Sequence, residues 1–206
     1  MSLNVRINTG TGGNQIAGVT SKNALLVDNA PASQTYMGAT GPFSPPATPT
    51  DMVSISGSFY SDIYILKMIL NTTQTTLGYN TFYLKKYSSL NAGGTSTAVV
   101  PGEMDPNNNT SQAVMKFYSV NPTTLGNLVY TLDQAYIFTP QVTGGAASVA
   151  FPYIWDFTAS RIQPLTIRGP QDQVSLNFAG AALPTGLKVS LTILWIEEMN
   201  QIMKFE

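Results

Sequence analysis

The chain has 206 residues, 43% of them hydrophobic and 10% aromatic, enough for the core of one large β domain or two small ones and too apolar for disorder throughout. Only 10% of residues are charged, against about 25% in an ordinary soluble protein, and the net charge of −1 with scattered basic residues leaves no patch for nucleic acid. There is no Cys and no His, which excludes thiolate chemistry, disulfide scaffolds and every mechanism that needs an imidazole.

In chain order, the N-terminus MSLNVRINTG has no basic region followed by an apolar core, so no signal peptide is expected. Residues 1–50 are rich in Gly, Ser, Thr and Pro around one apolar stretch, Ala24–Val27. They read as an extended N-terminal arm, with the prolines of 38–50 making a linker. Short strand-like patterns follow. Met52–Phe59 alternates apolar and polar residues, and Asp62–Asn71 is apolar on both faces, as a strand between two layers would be. Thr81–Tyr87, Ala113–Val120, Leu128–Phe138, Leu165–Arg168, Val174–Phe178 and Leu187–Ile196 complete the set. In the last, Val189, Leu191, Ile193 and Trp195 share one face. Asn121-Pro122, Gly126-Asn127, Gly169-Pro170 and Pro184-Thr185-Gly186 supply turns between the strands. With no helical stripe, the expected fold is an all-β antiparallel sandwich over 51–198, jelly-roll-like, with a C-terminal tail at 199–206. No apolar run approaches the ~20 residues of a membrane helix, so no membrane partner is expected.

Between the third and fourth strands lies SSLNAGGTSTAVVPGEMDPNNNTSQA, residues 88–113, with no evident strand or helix. Compact domains rarely keep a loop so long without a use for it. Its Gly-rich part precedes no helix, so it is not a phosphate cradle. Glu103, Asp105, Asn107 and Asn109 alternate as oxygen donors would around a hard cation. Asp-Pro-Asn is equally a strong turn former, and the turn is the preferred reading. The uncharged polar surface of the loop suits contact with another subunit, because amides and hydroxyls desolvate at less cost than ions. The expected partner contacts are Asn91, Gly93, Gly94, Thr95, Asn107, Asn108 and Asn109, with Ile202, Met203 and Phe205 as anchors in the tail.

No catalytic constellation and no cofactor motif emerges. A His-free glycosidase would need a carboxylate pair, and nothing singles one out. Glu197 and Glu198 are adjacent and would point to opposite faces of a strand. Tyr60, Tyr64, Tyr79, Tyr83, Tyr87 and Tyr118 could line a sugar-binding face, although aromatic residues favour strands for packing reasons alone.

Three stretches carry a resemblance: TDMVSISGS (50–58) with the run TTQTTLGYNTFYLKKYSSLNAGGTSTAVVPGEMDPNNN (72–109); AVMKFYSVNPTTLGNLV (113–129); and PLTIRGPQDQVSLNFAGAALPTGLKVSLTILWIEE (164–198). Over roughly 50–198 their order resembles that of small β-rich virion structural proteins of tailed bacteriophages. The Gly-Gly-Thr loop and the NPTTLG turn are the most specific pieces. The resemblance implies a virion component and no particular position on the particle. Taken with the low-charge sandwich and extended termini, it leads to the expectation of a capsid decoration, cement or other head-associated role without catalysis, with partners among copies of itself, a trimer as one arrangement, and among virion proteins such as the major capsid protein. The alternative is a receptor- or carbohydrate-binding module of a phage tail fibre or spike.

Overall fold

A computed structural model describes residues 34–46, 50–139, 148–158, 164–179 and 182–199, with the backbone of four short strands before residue 34. In chain order these four are β1 (Ile7–Thr9), β2 (Gly13–Gln15), β3 (Gly18–Val19) and β4 (Leu25–Leu26). They form two antiparallel pairs, β1 with β2 and β3 with β4, inside a separate compact unit spanning Met1–Ser33.

The second unit, Gln34–Glu206, carries the other strands. They are β5 (Gln34–Ala39), β6 (Asp51–Ser56), β7 (Ser61–Gln74), β8 (Gly78–Tyr87), β9 (Thr95–Val99), β10 (Gly102–Glu103) and β11 (Val114–Val120). Then follow β12 (Leu128–Thr139), β13 (Ser148–Val149), β14 (Tyr153–Asp156), β15 (Leu165–Ile167), β16 (Gln173–Phe178) and β17 (Lys188–Met199). They make two antiparallel sheets. Sheet I runs β10-β5-β17-β7, with β13, β14 and β15 end to end along the far edge of β7; sheet II runs β12-β8-β16-β6-β11-β9.

One hydrophobic core lies between the sheets. Sheet I contributes Ile63, Ile65, Met68 and Leu70 from β7 and Val189, Leu191, Ile193 and Trp195 from β17. Sheet II contributes Val53, Ile55, Phe82, Leu84, Val174, Leu176 and Phe178. On β6, β8, β16 and β17 these are period-two positions, so alternation places them inward; on β7 a register shift at Leu66 carries the inward set from Ile63 and Ile65 to Met68 and Leu70. Gly38 of β5 shows how close the layers come: a Cβ there would lie 2.6 Å from Met115 Sδ of sheet II and 3.2 Å from the Trp195 ring.

Four expectations change. The sandwich begins at Gln34 rather than 51, because β5 pairs with β17 from Gln34↔Glu197 to Ala39↔Thr192 and Phe43 bridges Val189. The prolines of the segment lie beyond β5, where they withhold no ladder donor. Strand β7 is not sealed on both faces: buried and half-buried residues alternate along it, and Tyr64, Leu66 and Ile69 lie on the half-buried side. Conversely β6 is buried throughout, polar positions included. The excursion at 88–113 contains two short strands, β9 on the edge of sheet II and β10 on the edge of sheet I. Of the expected arms, the tail at 200–206 lies outside the described residues.

Candidate functional site

The 88–113 segment is a crossover that leaves β8 in sheet II, adds β9 to that sheet, adds β10 to sheet I and returns as β11. Each end is fixed by a buried carboxylate.

At the entry, Asp51 of β6 is fully buried. Its Oδ1 accepts from Asn177 Nδ2 at 2.8 Å and Tyr87 hydroxyl at 3.1 Å, and its Oδ2 accepts from Asn91 Nδ2 at 2.7 Å. All three donors are neutral. Burial first, and the neighbouring Asp51 carboxylate second, push the Tyr87 phenol far above its ordinary range, which keeps its proton in place as a donor. Asn91 is 4% exposed and fully engaged: besides Asp51, its backbone N–H donates to Gln173 Oε1 at 3.2 Å and its Oδ1 accepts from Gly126 N at 2.9 Å. The segment after Asn91 then locks onto the turn at 121–127. Ala92 N donates to Thr124 O at 2.9 Å, Thr123 N returns to Ala92 O at 3.0 Å, and Asn127 N donates to Ser89 Oγ at 2.8 Å. Gly93 and Gly94 have φ of +72° and +73° and run against Thr123 and the Asn121 carbonyl, where a Cβ on either would collide. This layer covers the outer, polar face of β6 and β16, which accounts for Asp51, Gln173 and Asn177 being buried on what is formally the outside of sheet II.

At the exit, Glu197 of β17 is 7% exposed. Its Oε1 accepts from Ser111 Oγ at 2.5 Å, Trp195 Nε1 at 3.0 Å and the N–H groups of Gln112 and Ala113 at 3.2 Å; its Oε2 accepts from Gln112 N at 2.9 Å and Ser61 Oγ at 3.4 Å. A carboxylate accepting several N–H donors fixes backbone that has no ladder partner. Glu198 points to solvent, as adjacent strand residues must. Beside Glu197, Tyr36 hydroxyl donates to the Asn109 carbonyl at 2.6 Å.

Between these clamps almost every residue from 92 to 110 is exposed. Gly93, Gly94 and Thr95 lie on that surface, as do Asn107 and Asn109. Asn91 does not: its side chain is a structural strut, so it drops out of the expected contact set. Asn108 is half-buried, with Nδ2 on Thr35 O at 3.2 Å. Asp105 caps a turn, its Oδ1 accepting from Asn107 N at 2.9 Å and Nδ2 at 3.0 Å while Asn108 N reaches Asp105 O at 2.9 Å. Glu103 sits on β10 opposite Tyr36. The turn is therefore built by Asp105 with its own neighbours; among the described residues no three carboxylates converge. Ile202, Met203 and Phe205 lie outside the described residues.

Two other surfaces carry polar and aromatic groups. A cleft of about 310 Å³ opens between β12 and β15, lined by Tyr130, Leu132, Phe157 and Leu165. Its cations are engaged, Lys86 with Asp172 at 3.2 Å and Arg168 with Asp62 at 3.4 Å. The six tyrosines do not share a face. Tyr87 and Tyr118 are buried, Tyr60 is exposed between β6 and β7, and Tyr64 belongs to sheet I; on sheet II, Tyr79 pairs with Phe138 at 5.0 Å between ring centroids and Tyr83 lies opposite Gln134.

Sequence reasoning missed Asp51 and Glu197 as organising residues. Its strongest motifs nevertheless meet at one of them: NAGGTST, NPTTLG, TDMVSI and QVSLNF converge on the Asp51 cluster through Asn91, Gly126, Asp51 itself and Asn177. Comparison with protein-family models, with curated proteins and with solved structures finds no match to this chain.

Proposed function

We propose that the chain is a non-enzymatic structural protein of a bacteriophage virion, a capsid decoration or cement protein or another head-associated component. It acts through contacts with copies of itself and with virion proteins such as the major capsid protein. The finer architecture proposed with it is a jelly-roll-like sandwich with terminal arms that reach neighbouring subunits. The observation that carries the reading is the 92–110 surface: exposed, uncharged apart from Glu103 and Asp105, and held at both ends by buried carboxylates. Loops that are merely tolerated are not clamped in this way, and a rigid contact surface loses little entropy on docking. The test is mass spectrometry and electron microscopy of density-gradient-purified particles from cells producing the phage that encodes the chain. Recovery of the chain with intact particles at a fixed ratio to the capsid protein supports the reading; abundance in the lysate with absence from particles overturns it.

One observation favours a second reading, a receptor- or carbohydrate-binding module of a fibre or spike. Tyr79 is 73% exposed on the outer face of sheet II, with Tyr136 and Phe138 exposed beside it and Gln134 and Thr81 as polar neighbours. Rings flanked by amide and hydroxyl groups suit the apolar faces of sugars. Loss of cell adsorption by particles carrying Tyr79→Ala and Tyr136→Ala, with assembly intact, would select it.

A further inference from the structure

The two sheets have four lateral edges, and three are defended against pairing with another chain. The β10 edge is two residues long, carries Glu103 and is bounded by Pro101 and Pro106. The edge beyond β7 is split among three strands of two, four and three residues, with Asp156 held by Lys67 at 3.3 Å. The β12 edge is interrupted by two register shifts between Leu128 and Asp133, and its Asp133 turns across to Trp155 Nε1 at 2.7 Å; its regular stretch is 133–139. Short strands, proline, bulges and charge are the devices by which sheets avoid edge-to-edge association.

The fourth edge is the least defended, its one irregularity a register shift at the Thr95 end. Strand β9, Thr95-Ser96-Thr97-Ala98-Val99, has no proline and no charge, and its pairing with β11 is regular from Ser96 to Val99. Among the described residues no strand lies on its outer side, and its backbone groups there are unpaired. We propose that β9 is a self-pairing edge: two copies of this chain join antiparallel through it, about a twofold axis, extending sheet II from one subunit into the next. Twofold pairing brings a strand against itself, so any charge faces a like charge or lies near one; an uncharged strand is free of that repulsion. A five-residue ladder is small for a stable interface. Val100, 88% exposed, follows directly from β9 and supplies apolar area that a second copy would cover. The Asp51 and Glu197 clamps hold the edge in one conformation before the partner arrives. The inference deepens the assembly role proposed above, and it replaces a threefold with a twofold arrangement at this edge.

The test uses the full chain in sedimentation equilibrium at subunit concentrations up to about 100 μM, a range that detects even weak association. Ser96 and Ala98 face outward and are exposed, so they accept charge without entering the core. Wild type is expected as a dimer. Ser96→Lys with Ala98→Lys, and separately Ser96→Glu with Ala98→Glu, should each weaken dimerisation at least about ten-fold. Mixing the two variants should restore a mixed dimer. A monomeric or trimeric wild type, or a dimer indifferent to both charge sets, overturns the proposal. A dimer whose chain is absent from purified particles leaves this pairing standing and removes the virion reading; particle association by a monomer does the reverse.

Discussion

Removing the Asp51 carboxylate tests the idea that one buried charge organises the entry to the crossover. In Asp51→Ala, Tyr87 hydroxyl, Asn91 Nδ2 and Asn177 Nδ2 lose their acceptor together in a site closed to solvent. A buried donor without a partner costs about 1–3 kcal/mol, so three would cost several. Relief from burying the charge offsets part of this, and local relaxation admits water, leaving a net loss of about 3–5 kcal/mol. Asp51→Asn keeps the shape and one acceptor oxygen but turns an amide N–H toward a donor, for an expected loss of about 1–3 kcal/mol. Urea denaturation followed by Trp fluorescence reads both, and hydrogen exchange should rise first at 88–94 and 121–127, the segments joined through Asn91. The reasoning is refuted if Asp51→Ala costs less than about 1 kcal/mol, or if Asp51→Asn is more stable than wild type, because the buried charge would then be a net burden.

Glu197→Gln should destabilise by about 1–3 kcal/mol, and hydrogen exchange should accelerate at Gln112 and Ala113 while β9 stays protected. Trp195→Ala should cost about 3–5 kcal/mol in the same denaturation experiment, since the ring is fully buried between the sheets; a loss under about 1 kcal/mol would contradict its inward placement. Stability should also fall in alkali. Burial first, then the Glu197 and Glu103 charges, raise the Tyr36 phenol to about 12 from an unfolded value near 10. The protonated form is thus favoured in the folded state, so the contribution is complete below pH 10 and is lost as pH rises through about 12, by at most about 2–3 kcal/mol. Tyr36→Phe should flatten that limb of the pH profile, measured as the urea midpoint between pH 9 and 12; an unchanged slope would reject the assignment.

How legible all this was in the sequence depended on the range of the interaction. Val189, Leu191, Ile193 and Trp195 announce their common face because period-two alternation is a local property, and β7, β8 and β12 are legible as apolar, aromatic-rich runs between turns, equally local signals. Strands β9 and β10 escaped because short, polar or Gly-containing runs owe their strand conformation to the ladder they join rather than to their own preference. Strand β5 was hidden by the prolines that follow it. Asp51 carries no local signal that sets it apart from the other acids of the chain. Its donors lie 36, 40 and 126 residues away along the chain, a separation over which no spacing rule reads. The Gly-Gly-Thr and NPTTLG motifs were visible as motifs, but their meeting in space follows only from folding.

The neutrality of the donors around both buried carboxylates bears on the medium the protein can tolerate. At physiological ionic strength, screening acts over about 8 Å through water, and it weakens exposed ion pairs such as Lys67–Asp156. Hydrogen bonds from amides, hydroxyls and an indole to a sealed carboxylate have no counter-ion to compete with. The links that tie the crossover to both sheets should therefore hold alike in dilute buffer and in brine.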